Sequence, residues 1–327
     1  MKEETTMEKY IGHPNQVYGV EEMRLSGGKG DGMRMLYVRN GKGLEFWVSV
    51  DRSADISRLS LKGDNFSFMA PCGYVAPEYY DCKGLGFLKS FTAGFMTTCG
   101  LTAVGSPCTD DGEELGLHGT ISNTPCENIS HWIADDGIHI KAIVRDAALF
   151  AHHLILEREY IVSLEKNEVA LCDVVKNIGS TVSPHQILYH CNMGYPLLSE
   201  KAEIKIPSVS VDARDEHAKS GIDTHIQVEE PQDGYQEMCF LHTIEGKAEV
   251  SIYNPEINKG LMMNYDTEEL PCFTQWKMMG THEYVMGLEP GNCYPDGRAE
   301  ARKDGTLVFL KPGETKEYNI KFTCFEK

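Results

Sequence analysis

Two histidines and one glutamate stand where the backbone could turn and present them to a ligand. His118 precedes a glycine, which permits a sharp turn and a close approach of the chain to a bound molecule. His190 follows an apolar stretch, and its imidazole titrates near neutral pH, as a proton donor or acceptor must. Glu289 is followed by proline and glycine, which end strand pairing, so its carboxylate could point into a cleft. Each residue could also be purely structural, but together they supply the groups for acid–base chemistry.

The elements that must position these residues are β-strands, because apolar and polar residues alternate with a period of two. Segments 44–50 and 138–145 show this alternation, which is typical of strands with one buried face. Segments 154–161 and 169–175 are further predicted strands, joined by a hairpin at 165–168. The best helical segment is short, at 212–220, and strands do not alternate with helices. We therefore expect one all-β domain, residues 1–327, forming a large antiparallel β-sandwich.

The stretch from Pro71 to Asn128 differs from the rest of the chain. It is rich in glycine, proline, cysteine, tyrosine and aspartate, and it lacks a clean alternation. A long irregular segment inside a compact domain is usually functional, and loops above a rigid sheet commonly carry binding groups. His118 lies in this stretch, which strengthens the hypothesis that it serves a site.

The composition excludes several classes of protein. The formal net charge is −18, so a basic footprint for nucleic acid or an anionic membrane surface is not expected. No apolar run is long enough to cross a bilayer, and the N-terminal residues lack the apolar core of a secretory signal. The 11 cysteines show neither CxxC pairs nor the spacing of a disulfide scaffold. We expect a cytoplasmic protein with reduced thiols.

Three short segments together resemble the galactose-mutarotase-like (aldose 1-epimerase) proteins. They are LHG at 117–119, YHCNMGYPLL at 189–198 and GLEPGNCYPDG at 287–297. A broader resemblance, to an uncharacterised aldose-1-epimerase-related branch, covers nearly the whole chain and includes DRSADI at 51–56 and TQWKMMG at 274–280. The resemblance implies a large antiparallel sandwich with a sugar-binding cleft across one face.

The resemblance also implies a role for each of the three residues. His190 occupies the place of the general acid that protonates the ring oxygen of a sugar. Glu289 occupies the place of the base that takes the proton of the anomeric hydroxyl, and His118 that of a histidine that orients the sugar. The implied reaction interconverts anomers of a free sugar or sugar acid and requires neither a metal nor an organic cofactor. The expected partner is therefore a small-molecule carbohydrate.

Five further residues are expected to bind the substrate, and each marks a difference from ordinary mutarotases. Lys89 stands where those proteins carry an arginine, although lysine lacks the planar fork of arginine. Asp215 lies in the stretch that holds their substrate aspartate. Arg52, Gln275 and Lys277 lie in segments without a recognisable counterpart, and their side chains are of types that bind hydroxyls or carboxylates. Arg52, Gln275 and Lys277 are expected to adapt the site to a different sugar.

Strand geometry and residue type set limits on the site. His185 is an odd number of residues before His190, so a strand would place the two on opposite faces, and His185 is left out of the site. Aromatic residues often stack on sugars, but in a β protein they are usually core. Five are assigned to the core on that basis: Tyr18, Tyr74, Tyr189, Trp276 and Tyr294.

Three other functions remain open at this point. The same acid and base could abstract a proton alpha to a carbonyl, as in a keto-sugar epimerase or isomerase. The fold could bind carbohydrate without catalysis, since fold does not determine function. His118, His190 and Glu289 could instead be metal ligands, although their spacing does not favour this. The sequence leaves the oligomeric state open.

Overall fold

The computed structural model describes residues 9–327 of the chain. Residues 1–8 lie outside the described part. Two expectations concern them: that they belong to the single domain and that they hold no secretory signal. Within residues 9–327, no helix is long and apolar enough to cross a membrane.

Most of the described chain is antiparallel β-structure. In chain order the strands are β1 (Gly19–Arg24), β2 (Arg34–Arg39), β3 (Leu44–Ser49), β4 (Asp55–Leu61), β5 (Asp64–Asn65), β6 (Phe68–Met69), β7 (Ala93–Gly94), β8 (Met96–Leu101), β9 (Cys108–Asp110), β10 (Glu113–Leu115), β11 (Asn128–Ala134), β12 (Gly137–Ala147), β13 (His153–Val162), β14 (Glu168–Asn177), β15 (Ser183–Met193), β16 (Glu203–Lys205), β17 (Ser208–Ala213), β18 (Met238–Ile244), β19 (Lys247–Asn254), β20 (Lys259–Asp266), β21 (Cys272–Gly280), β22 (Glu283–Gly291), β23 (Val308–Leu310) and β24 (Thr315–Glu326). Among the described residues the α-helices are α1 (Glu216–Lys219) and α2 (Arg298–Lys303). Short 3-10 helices are Pro14–Gln16, Gly28–Gly30, Pro77–Tyr79, Gly86–Lys89, Ile121–Asn123 and Ile222–Thr224.

Two large sheets form the body of the molecule. The 8-stranded sheet has the order β11-β12-β13-β14-β24-β20-β19-β16, and the 7-stranded sheet has the order β17-β18-β21-β22-β15-β23 with β8 paired to β15. A 5-stranded sheet, β1 to β5, adds the N-terminal part of the chain. The predicted hairpin at 165–168 is confirmed, because it joins β13 to β14 as antiparallel neighbours.

The two large sheets pack face to face, which gives the 7-stranded sheet an inner and an outer side. Phe273 on β21 stacks on Tyr265 on β20, with ring centroids 6.2 Å apart. On β15, the hydroxyl of Tyr189 donates to Asp173 on β14. Because successive residues of a strand alternate between faces, His190 points to the side away from the 8-stranded sheet. We call this side the cleft face.

Two expectations about secondary structure need correction. The predicted helix at 212–220 is one turn, α1, because Asp212 and Ala213 continue β17. The irregular stretch from Pro71 to Asn128 contains a strand, β8, whose six residues are all buried. A strand covered on both faces has no polar side to alternate with its apolar side, so the period-two pattern could not reveal it.

Candidate active site

The register of two neighbouring strands brings the predicted acid and base together. β15 pairs antiparallel with β22, with Cys191 opposite Leu288 and Leu188 opposite Gly291. This register puts His190 directly opposite Glu289, on the same face of the sheet. His190 Nε2 lies 3.2 Å from Glu289 Oε1, and the two side chains are 7% and 2% exposed. The contact does not have the geometry of a hydrogen bond, and Glu289 Oε1 has no hydrogen-bond partner among the described residues.

His118 joins this pair from a turn outside the sheet. Its backbone is in the left-handed region, with φ 60°, a conformation that non-glycine residues seldom adopt. Two hydrogen bonds hold it there: His118 N–H donates to the carbonyl of Gly105, and the His118 carbonyl accepts from Gly100 N–H. The rings of His118 and His190 are 5.6 Å apart in an edge-on arrangement. The L-H-G segment therefore contributes to the same site as the other two motifs.

Aromatic side chains enclose the two histidines. The ring of Phe91 is 5.1 Å from that of His190, and Trp276 is 5.2 Å from it on another side. Phe87 packs 5.2 Å from the ring of His118. This wall displaces water from around the imidazoles, and a low dielectric strengthens every electrostatic contact made there.

Enclosure sets the protonation of the three groups. Burial lowers the pKa of His190 to about 3, and the neighbouring His118 adds to the effect. Burial lowers the pKa of His118 to about 4, with a smaller contribution from the positive charge of Arg214. Burial raises the pKa of Glu289 well above its usual range; Glu237 reinforces this and Arg214 opposes it. Burial thus favours the uncharged form of both groups, so the resting pair is a neutral imidazole beside a protonated carboxyl group.

Several buried polar atoms of the site have no hydrogen-bond partner within residues 9–327. They are Nδ1 of His118, Nδ1 of His190, Oε1 of Glu289 and Oγ1 of Thr274. Thr274 lies directly opposite Glu289 across β21 and β22, so its hydroxyl shares the cleft face. Leaving a buried polar atom unpaired costs about 1–3 kcal/mol, so this cluster suits a ligand rich in hydroxyls.

A charged network anchors the site from the inner side of the sheet. Arg158 on β13 is fully buried and contacts Asp173 and Asp55, each at 2.7 Å. Asp173 accepts a hydrogen bond from Tyr189, and Asp55 accepts one from the hydroxyl of Thr98. Tyr189 immediately precedes His190, so the network fixes the strand that carries the proposed acid.

Arg52, an expected substrate ligand, is buried and donates to the backbone near Val75. Its Nη1 donates to the carbonyl of Val75 at 3.0 Å, while its buried Nη2 has no partner among the described residues. Burial lowers the pKa of Arg52 to about 10, partly offset by Asp55. The DRSADI segment is thus largely a structural turn, since Asp55 also binds the buried Arg158. Nη2 of Arg52 remains without a hydrogen-bond acceptor among the described residues.

Gln275 and Lys277 lie on the inner side of the sheet, opposite to the placement that their expected role requires. Gln275 exchanges hydrogen bonds with His225, to its ring and to its carbonyl. Lys277 forms an ion pair with Glu229 at 2.9 Å. The residue between them, Trp276, is the one that reaches His190, because side chains alternate along β21. The motif TQWKMMG does contribute to the candidate site, but through its tryptophan and its threonine, Thr274.

Lys89 and Asp215 are engaged at the surface. Lys89 forms an ion pair with Asp81 at 2.9 Å, and its side chain is 71% exposed. Asp215 caps α1, accepting a hydrogen bond from the backbone N–H of Ala218 at 2.8 Å. In this structure both side chains have structural partners away from the histidine–glutamate pair.

Arg214 and Trp276 were not predicted as site residues from the sequence, and Trp276 was expected to lie in the core. Arg214 immediately follows β17, and its backbone N–H continues the pairing with β18 by donating to Cys239. An arginine beside Asp215 carries no sequence signal of its own, whereas Trp276 could have been identified from its alternation with Gln275 and Lys277. His185 is placed as expected, on the inner side, where its Nε2 contacts the hydroxyl of Tyr318.

Comparison with known proteins identifies the family of this chain. A family described as a domain of unknown function, DUF4432, matches residues 30–324. The chain belongs to this family. No curated protein matches the sequence of this DUF4432 protein. Within residues 9–327, no group of three or more His, Cys, Asp or Glu side chains is arranged to hold a metal ion.

Solved structures show the same fold. A candidate aldose 1-epimerase from Klebsiella pneumoniae subsp. pneumoniae is 28% identical, with a TM-score of 0.90, over 95% of this chain and 84% of its own. A galactose mutarotase-like protein from Clostridium acetobutylicum is 14% identical, with a TM-score of 0.68, over 96% and 100% of the two chains. The DUF4432 chain therefore has the galactose mutarotase-like β-sandwich, and the predicted fold class is confirmed.

Proposed function

We propose that the protein is a carbohydrate isomerase of the aldose 1-epimerase type, which interconverts the anomers of a free sugar. The observation that carries the proposal is the contact of His190 with Glu289 at 3.2 Å inside an aromatic enclosure, with His118 beside it. The name of the Klebsiella protein and the shared fold support a carbohydrate substrate. The proposed partner is a small-molecule sugar.

Anomer exchange needs two simultaneous proton transfers. In ring opening, Glu289 as carboxylate takes the proton of the anomeric hydroxyl while His190 as imidazolium gives one to the ring oxygen. The bond between C1 and the ring oxygen breaks, and its electron pair goes to that oxygen as a carbonyl forms at C1. Rotation about the C1–C2 bond then presents the opposite face of the carbonyl to the hydroxyl that closes the ring. Reclosure with reversed proton transfers yields the other anomer.

The electrostatics of the pair suit this exchange. The resting pair, neutral imidazole and protonated carboxyl group, holds the same number of protons as imidazolium and carboxylate. Moving one proton from Glu289 to His190 therefore interconverts the resting and working forms without solvent. Burial opposes the ionised form of both groups. Hydrogen bonds from sugar hydroxyls to the carboxylate would offset that cost on binding.

His118 is proposed to orient the sugar. Its Nδ1 is buried without a partner among the described residues, and it is neutral at physiological pH. A neutral imidazole can donate from one ring nitrogen and accept at the other, as recognition of a hydroxyl requires. The strained backbone at φ 60° fixes the direction in which the ring projects.

NMR of freshly dissolved single anomers in deuterated buffer tests the proposal. The parent protein should accelerate anomer equilibration, and Glu289→Gln should slow it by about 100-fold or more. Glu127→Gln is the matched control, because this glutamate pairs with Arg145 on the surface and should change nothing. Deuterium at a carbon atom would instead indicate a keto-sugar epimerase or isomerase. Failure to accelerate any sugar of a broad panel would refute the proposal.

A further inference from the structure

A row of directly opposed residues crosses the 7-stranded sheet beside the proposed acid and base. Arg214 pairs with Cys239, Cys239 is opposite Trp276, and Trp276 is opposite Gly287. Opposed residues of antiparallel strands project to the same side. Arg214 therefore lies on the cleft face with Trp276, separated from it only by the small side chain of Cys239.

Glu237 connects the arginine to the tryptophan. Trp276 Nε1 donates to Glu237 Oε2 at 2.7 Å, and Arg214 Nη2 contacts Glu237 Oε1 at 3.3 Å. Trp276 in turn packs against the ring of His190. These contacts form a continuous path from the proposed acid to partly exposed polar side chains. We call Arg214, Glu237 and Trp276 the rim.

We propose that the rim binds a pair of neighbouring hydroxyls on an uncharged sugar and disfavours anionic sugars. The proposal rests on the proposed sugar chemistry at His190 and Glu289 and narrows its substrate class. The guanidinium of Arg214 donates to one sugar oxygen, and the carboxylate of Glu237, which keeps spare acceptor sites, accepts from the next hydroxyl. The face of Trp276 packs against the C–H groups of the ring.

The charges of the rim argue against a carboxylate or phosphate on the substrate. Arg214 is the cation of the rim, and two carboxylates already neutralise it: Glu237 at 3.3 Å and Asp215 at 3.7 Å. An anionic sugar would have to displace one of these contacts and would face the repulsion of Glu237 beside it. Like charges in contact are an effective means of rejecting a ligand.

Equilibrium binding tests the rim separately from turnover. The probes are glucose, galactose and mannose, each compared with its matching hexuronate, titrated at equal ionic strength while tryptophan fluorescence is recorded. At least one hexose should bind the parent protein about fivefold or more tighter than its hexuronate. The fluorescence change should disappear in Trp276→Phe, which locates the signal at the rim.

Charge-removing variants test the cause of the preference. Glu237→Gln keeps a side-chain oxygen but removes the repulsion, so the hexose-to-hexuronate preference should fall below about twofold. Arg214→Gln should weaken hexose binding, whereas the surface control Glu127→Gln should leave the preference intact. Tighter binding of a hexuronate, an unchanged preference in Glu237→Gln, or binding of none of the sugars would overturn the proposal. Selective hexose binding without anomer exchange would refute the proposed function while leaving the rim proposal intact.

Discussion

Gly287 offers a direct test of how the site positions its carboxylate. A Cβ atom at this position would lie 2.2 Å from Glu289 Oε1 and 2.9 Å from the Cβ of Trp276. The carboxylate of Glu289 thus folds back into space that only glycine leaves open. The backbone of Gly287 is ordinary extended strand, so alanine fits its conformation. The perturbation falls mainly on the carboxylate of Glu289 and to a smaller extent on the Cβ of Trp276.

The expected effect follows from that distance. Ordinary contact begins at 3.4 Å, so in Gly287→Ala the carboxylate must retreat by about 1.2 Å. Misplacement by about 1 Å can cost roughly 100-fold in rate, or about 2.7 kcal/mol in activation free energy. The Cβ of Trp276 must also move by a few tenths of an ångström, and it cannot rotate away as the end of a side chain can. The free energy of unfolding should therefore fall by about 1–3 kcal/mol, as is typical of overpacking.

Exchange NMR on a sugar that the parent protein equilibrates measures the effect on kcat. Gly280→Ala is the control, since its new Cβ would meet the end of Met278, at 2.7 Å, on the same sheet but away from Glu289. Adding Gly287→Ala to Glu289→Gln should cause little further loss, because the carboxylate is already gone. A Gly287→Ala protein with kcat within about threefold of the parent would refute this account of the site.

Three further predictions concern stability and the surface. Burial lowers the pKa values of His118, His185, His190 and His242 to about 4, 4, 3 and 4. Between about pH 6.5 and pH 4 the unfolded state therefore binds protons that the folded state does not. The free energy of unfolding should be highest above about pH 6.5 and should fall towards pH 4. In urea titrations, His185→Asn should reduce the slope of the free energy of unfolding against pH by about 1.4 kcal/mol per pH unit. Arg158→Met should destabilise the fold by about 3–5 kcal/mol, whereas the exposed Arg145→Met should cost less than about 1 kcal/mol; equal losses in chemical denaturation would contradict this. Lys89→Met and Asp215→Ala should each leave the rate of sugar turnover within about twofold of the parent protein. Asp215→Ala should also lower the free energy of unfolding by about 1 kcal/mol, because a helix cap is lost. A tenfold loss of turnover in either variant would show that the replaced residue does bind the substrate.

The arginine network explains a strong sequence feature without assigning it to catalysis. Ser53 and Ala54 both have positive φ, at 47° and 56°, so DRSADI makes a tight turn that places Asp55 against Arg158. Arg158 is more than a hundred positions further along the chain, so no local pattern could reveal its partner. A distinctive local motif can therefore exist because of a structural contact with a distant part of the chain.

The features that could be predicted from the sequence are local ones. Alternation along β3, β12, β13 and β14 depends only on which residues can face a core, so these strands and the hairpin at 165–168 were predictable. The opposite orientation of His185 and His190 follows from the same geometry. The motif segments at 117–119, 189–198 and 287–297 were also identifiable, because glycine and proline mark where the chain turns.

Which of these residues come into contact depends on the tertiary fold. The β15–β22 register puts His190 opposite Glu289, and a shift of one residue would have turned every side chain of a strand to the other face. The packing of β21 against the 8-stranded sheet makes Trp276 a site residue and turns Gln275 and Lys277 inward. Strand pairing also brings Arg214 to the rim. Which strands become neighbours, and in what register, depends on the free energy of burying whole faces together, which no single segment of the sequence contains.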